Sequence, residues 1–306
     1  MTANYLDRVS VLVWVVLMGL AAQRFLSLPA RVWTAILFGS PVTLTVTANA
    51  ILGILLVGLV VSGTEAVVRA HPRSRGNPDE APAERALPAP TWPAGPVRVA
   101  PGLGSMAGQY RALATGHWVF WSLPIALVIV ALLLLPVAPT RLYWLLGLLL
   151  TGLALGLSLA GLYHTIDPFA PGYRRARLGM NALTYGVALL LFLVVYRTRV
   201  RSIISATEIM LLSGLLALEL LRGSERPTFL VTLYAGITGL VLGQATWALN
   251  YWRLDSLSGG LILLLLFYNI VGLAQHALQG RISRRIVLEF GLITIAALAL
   301  IWELTP

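Results

Sequence analysis

The sequence predicts an all-α fold, a polytopic transmembrane helix bundle of about nine spans, and three observations carry that reading. Of its 306 residues 58% are hydrophobic and only 11% charged, with a mean hydropathy of +0.83, whereas a water-soluble domain carries about 25% charged residues to clothe its surface. Nine stretches reach the roughly 20 apolar residues that a helix rising about 1.5 Å per residue needs to cross about 30 Å of hydrocarbon. These stretches are continuous and leucine-rich rather than alternating, so they suit helices and not barrel strands.

The first stretch, residues 8–28, has an apolar core from Val9 to Ala22. Its basic flank is only Arg8, offset by Asp7, which suits a retained helix better than a cleaved signal peptide. Residues 29–45 hold Pro29, Trp33, Gly39, Pro41 and the start of a β-leaning run, Val42 to Val46. They fit no full span and are expected to form an interfacial or re-entrant connector, with a tenth helix as the weaker alternative. The second span follows at 46–70 and closes an amino-terminal two-span segment, residues 1–70.

Residues 71–115 contain eight prolines between Pro72 and Pro101, mixed with Asp79, Glu80, Glu84 and Arg85. Such a composition cannot bury a core, so a Pro-rich linker is expected here. Seven further spans fill residues 116–306, at about 116–138, 140–164, 176–198, 200–221, 227–252, 256–278 and 284–304. Trp118, Trp121, Tyr143, Trp144, Tyr163, Tyr196, Tyr251, Trp252 and Trp302 fall near the proposed ends, where aromatic belts sit at the headgroups.

All 22 basic residues are arginine, and the net charge is +10. The arginines form short clusters between apolar runs, which suits membrane topology and not a nucleic-acid partner. With nine spans, fifteen arginines fall on the side of the amino terminus and linker and seven on the other. The positive-inside rule then places the amino terminus and the 71–115 linker in the cytosol and the carboxy terminus outside, in a cytoplasmic (inner) membrane. Arg197, Arg199 and Arg201 run against that trend.

Chemistry-bearing motifs are scarce. The lack of cysteine excludes disulfides, thiolate metal sites and thioether-attached haem. Neither a Walker loop nor an HExxH occurs, and Gly156-Leu157-Ser158-Leu159-Ala160 misses GxSxG by its last residue. Of the histidines, His71, His117, His164 and His276, only His164 with His276 could face one another across a buried haem. No cofactor and no metal are expected.

A charge near the bilayer centre costs at least about 2.5–3.5 kcal/mol, so each intramembrane carboxylate needs a partner. Glu65 has Arg69 at i+4, Glu219 has Arg222 at i+3 and Glu289 has Arg285 at i−4, which reads as terminal anchoring by snorkelling arginines. Glu208 lies about 12 Å into its span with no arginine one turn away, and Ser205 shares its face. Gln244, Asn250 and Asn269 could converge with this pair on a polar pocket, or each could serve as an interhelical hydrogen bond. Gly152 with Gly156, and Gly239 with Gly243, mark helix-packing faces. Arg174, Arg175 and Arg177, and Arg281, Arg284 and Arg285, suit contact with headgroups or phosphate.

The catalytic residues are unknown from sequence. The expected function is that of a solute or lipid carrier, or of a membrane subunit in a larger complex, with membrane lipids and either a membrane-protein partner or a second copy as partners. The alternative is an enzyme acting on a lipid-linked substrate, with Glu208 as acid or base and arginines gripping phosphate.

Overall fold

The computed structural model describes residues 3–23, 31–37, 40–46, 48–70, 117–166, 172–198, 202–224, 228–252, 255–280 and 283–304. Among these the helices are α1 (Ala3–Ala22), α2 (Ala48–Ala70), α3 (Ser122–Leu134), α4 (Arg141–Thr165), α5 (Tyr173–Thr198), α6 (Ser202–Leu221), α7 (Thr228–Leu249), α8 (Ser256–Leu278) and α9 (Arg284–Leu304). A 3₁₀ turn, His117–Trp121, leads into α3 and another, Leu135–Val137, follows it. The expected linker at 71–115 lies outside the described residues, as do Arg253 and Arg281.

Each of the nine apolar stretches contains a helix among its described residues. Among the described residues seven are long and apolar enough to cross a membrane: α2, the Val119–Val137 segment around α3, and α4 to α8. The protein is thus a helical membrane bundle, with α1 and α9 as additional apolar helices. Asp7 and Arg8 lie in the first turns of α1, and Arg284, Arg285 and Glu289 in those of α9.

The 29–45 connector carries an antiparallel hairpin of β1 (Arg31–Leu37) and β2 (Ser40–Val46), with Trp33 opposite Leu44 and Ala35 opposite Val42. This sets aside the tenth-helix alternative. Val32, Thr34, Ile36, Val42, Thr43 and Thr45 are β-branched and favour extended backbone. Pro41 is tolerated because both strands of a two-stranded sheet are edges.

α3 occupies the centre, packed against α2, α4, α5 and α6. Beyond Ser122 it has no polar side chain, and a helix apolar all round belongs in a core. Leu123, Ala126 and Val128 are fully buried, and Pro124 is accommodated in the first turn, where its missing N–H has no partner to lose. Successive helices alternate in direction, so α3 runs antiparallel to α2 and α4 and parallel to α5. Leu12 of α1 fills the space beside Gly63 of α2, Leu56 fills that beside Gly19, and Leu17 seats α1 on Gly152 of α4.

The closest pair is α6 with α7. A Cβ on Gly239 would strike the Met210 carbonyl oxygen, and one on Gly243 would lie 3.0 Å from the Ala206 carbonyl oxygen. Both glycines thus lie against the α6 backbone. Gly156 differs, with open space where its side chain would be. On the periphery, Phe229, Ile54, Leu288 and Leu292 are exposed, as lipid-facing residues are. Gly280, in the left-handed region at φ 67°, ends α8 in the conformation that favours glycine.

Candidate functional site

One end of the bundle gathers most of its charged side chains. α6 buries the face of Ile209, Leu212 and Leu216, and Glu219 continues that face in the last turn of the helix, with none of its surface exposed. Its Oε1 accepts hydrogen bonds from Arg222 Nε at 2.7 Å and from Arg177 Nη1 at 3.4 Å. Ser122 Oγ lies 3.3 Å from Oε2 and 2.9 Å from the Val119 carbonyl oxygen, so one hydroxyl proton is shared between two acceptors.

Both arginines reach further. Arg177 Nη2 donates to the carbonyl oxygens of Glu219 (3.0 Å) and Leu220 (2.8 Å), and Gln275 Nε2 also donates to Leu220 (3.3 Å). These are among the carbonyls that the end of α6 would otherwise leave unpaired. Arg222 Nη2 donates to Thr165 Oγ1 at 3.0 Å, and its guanidinium lies 4.9 Å from the Phe120 ring centroid. Two guanidiniums face one carboxylate, and the negative end of the α6 dipole offsets the excess positive charge. The cluster ties α3, α4, α5, α6, α8 and the 3₁₀ turn together at one level. Nearby, Arg69 Nε meets Glu65 Oε1 at 2.9 Å, and Trp121 Nε1 donates to Glu65 Oε2 at 3.3 Å.

Beside this cluster, a groove of about 390 Å³ separates α4 from α5. Away from the helix ends its walls are apolar, formed by exposed Leu157, half-buried Gly161 and Leu183, and buried Met180. Its mouth is formed by His164 and Arg175, both exposed. His164 is seven residues beyond Leu157 on α4, and Arg175 eight before Leu183 on α5, so the groove runs roughly 10–12 Å from a polar end to an apolar one. Gly179 lines it with open space at its Cβ position. The cluster fixes the mouth. Thr165, bonded to Arg222, adjoins His164, and Arg177, locked onto Glu219, lies two residues from Arg175.

The sequence-derived residues are distributed as follows. Asn250 Nδ2 donates to Ser205 Oγ at 3.0 Å, joining the end of α7 to the start of α6. Gln244 is exposed on the outside of α7 and Asn269 Nδ2 donates to Leu265 in its own helix, so neither bonds to that pair. Asn269 Oδ1 is buried without a partner among the described residues. Glu208 is half-buried between exposed Ile204 and Leu211, bonds to no described residue and does not line the groove.

Three expectations require correction. Glu219 is not a snorkelled anchor but the centre of a buried network. Arg177 is not at the headgroups: Glu219 and the last α6 carbonyls hold it inside, while Arg174, Arg175, Arg284 and Arg285 stay exposed. Glu289 and Arg285 are both exposed and form no ion pair. His164 and His276 have separate surroundings, His276 lying 5.9 Å from the Phe290 ring. No group of three or more metal-ligating side chains occurs among the described residues.

A family model described as a protein of unknown function, DUF5656, matches residues 28–303. The chain belongs to the DUF5656 family. The DUF5656 match spans the hairpin, the 71–115 segment and all helices from α2 to α8, so the cluster and the groove both lie within it. No curated protein and no solved structure matches the chain.

Proposed function

We propose that the protein is a lipid carrier of the cytoplasmic membrane, without catalysis of its own, that seats an acyl chain between α4 and α5. The groove carries this reading, because its apolar walls lead to a cationic mouth and its volume falls in the range of about 300–1,000 Å³ typical of ligand sites. In a nine-span topology, with the amino terminus and 71–115 linker cytosolic and the carboxy terminus outside, that mouth lies at the cytosolic headgroups.

The carboxylates support a carrier over an enzyme. A general acid or base must come within about 3.2 Å of the proton it moves. Both Glu219 oxygens are already occupied by arginine and serine. Glu208 lies eleven residues earlier on α6, roughly 16 Å from the level of the mouth.

Photoactivatable phospholipid in vesicles containing the protein tests the reading, with cross-linked peptides mapped by mass spectrometry. Label is expected on the facing segments 157–164 and 175–183. Gly179→Leu fills the groove from a position with open space, and is expected to lower that label about tenfold, equivalent to about 1.4 kcal/mol. Label spread evenly over all lipid-facing helices, or unchanged by Gly179→Leu, overturns the proposal.

A further inference from the structure

We infer that the groove selects a glycerophospholipid with an anionic phosphodiester headgroup over a zwitterionic one, with Arg175 and His164 holding the phosphate; this rests on the proposal that the groove takes an acyl chain. Charge complementarity supplies the argument. Among the described residues lining the groove none is acidic, and the two that can donate to a phosphate stand together at its mouth, on helix ends that face each other.

The neighbouring charges divide into two sets. Arg177 and Arg222 are already engaged with Glu219, the α6 carbonyls and Thr165, so they fix the walls and do not meet a ligand. Arg174 and Arg175, on the opening turn of α5, are exposed and form no ion pair with a described residue. A guanidinium can grip two phosphate oxygens at once, and the imidazole adds one donor. A headgroup carrying its own ammonium would bring a second positive charge to the same mouth. Gly172, at φ 100°, opens α5 and also lines the groove, where it contributes no side chain.

The experiment compares photoactivatable phosphatidylglycerol with photoactivatable phosphatidylcholine in otherwise identical vesicles, reading label on 157–183 of the full-length protein. A preference of about fivefold for the anionic lipid is expected, the size of effect one arginine at a membrane surface produces. The double variant His164→Gln, Arg175→Gln should reduce the ratio to one. Both positions are exposed, so the fold has little reason to change, and an unshifted unfolding midpoint in detergent micelles checks it directly. Equal labelling of wild type by both lipids, with Gly179→Leu still lowering each, overturns the headgroup selection and leaves the lipid groove standing. Label absent from 157–183 with either lipid overturns both. Competition by soluble glycerol phosphate as strong as by vesicles would assign the mouth to a soluble phosphate and overturn the inference.

Discussion

Glu219 is the charged residue that α6 cannot release. Its carboxylate is fully buried, and the two guanidiniums against it are themselves mostly enclosed. Removing one member of a buried ion network leaves the rest uncompensated and costs about 3–5 kcal/mol, whereas replacing all members by apolar residues of similar size is often neutral. Glu219→Gln is therefore expected to lower stability by about that amount, read as an earlier midpoint of unfolding in mixed detergent micelles. The triple change Arg177→Met, Glu219→Leu, Arg222→Met should recover most of it. A triple variant as unstable as the single one would mean that the charges do more than hold helices.

What sequence could reveal at this scale was limited by the reach of local rules. The pairs Glu65–Arg69 and Glu219–Arg222 are visible as i+4 and i+3 neighbours, and the first has an exposed arginine, as snorkelling requires. The second is sealed by Phe120, Thr165 and Arg177, whose proximity depends on tertiary packing. A usable signal was present: Leu212, Leu216 and Glu219 follow i, i+4 and i+7 spacing, so Glu219 continues a buried stripe. Glu208 drew attention through its depth and the lack of an arginine one turn away, and neither says which way a side chain faces.

At the scale of the element, α6 and α7 pack through glycine. Gly239 admits no side chain because the obstacle is the Met210 backbone, which cannot rotate away as a side chain can. Gly239→Leu is expected to push the two helices apart and destabilise the protein by about 1–3 kcal/mol or more. Gly236→Leu, one turn away with open space at its Cβ, serves as the control and should leave the unfolding midpoint unchanged. Equal effects at both positions would show that loss of glycine, not the lost contact, is responsible. GxxxG spacing made this face legible in the sequence. It could not separate Gly239 from Gly156, whose neighbourhood is empty, because spacing specifies a face and not what lies opposite. The hairpin was legible only as a failure of helical pattern, in Pro41 and the β-branched run around it.

At the scale of the whole molecule, the antiparallel packing sorts the arginines by end. Arg8, Arg69, Arg174, Arg175, Arg177, Arg222, Arg284 and Arg285 lie on helix turns at the level of the ionic cluster, and Arg141 and Arg197 at the opposite level. Positive charge is retained on the cytosolic side during insertion, so the cluster and the groove mouth are expected to face the cytosol. The absence of cysteine makes this directly measurable, since a single introduced thiol is the only one present. A membrane-impermeant maleimide on intact cells should label Tyr251→Cys, whose position is exposed at the far end, and should label Arg174→Cys only after permeabilisation. Glu303→Cys, exposed near the end of α9, then decides the number of crossings. If α9 spans, Glu303 lies on the same side as Tyr251 and labels in intact cells. If α9 instead lies along the cytosolic surface, with Arg284 and Arg285 among the headgroups, Glu303 labels only on permeabilisation, and the carboxy terminus shares the cytosol with the amino terminus. Labelling of Arg174→Cys from outside would invert the whole assignment and place the mouth of the groove in the outer leaflet.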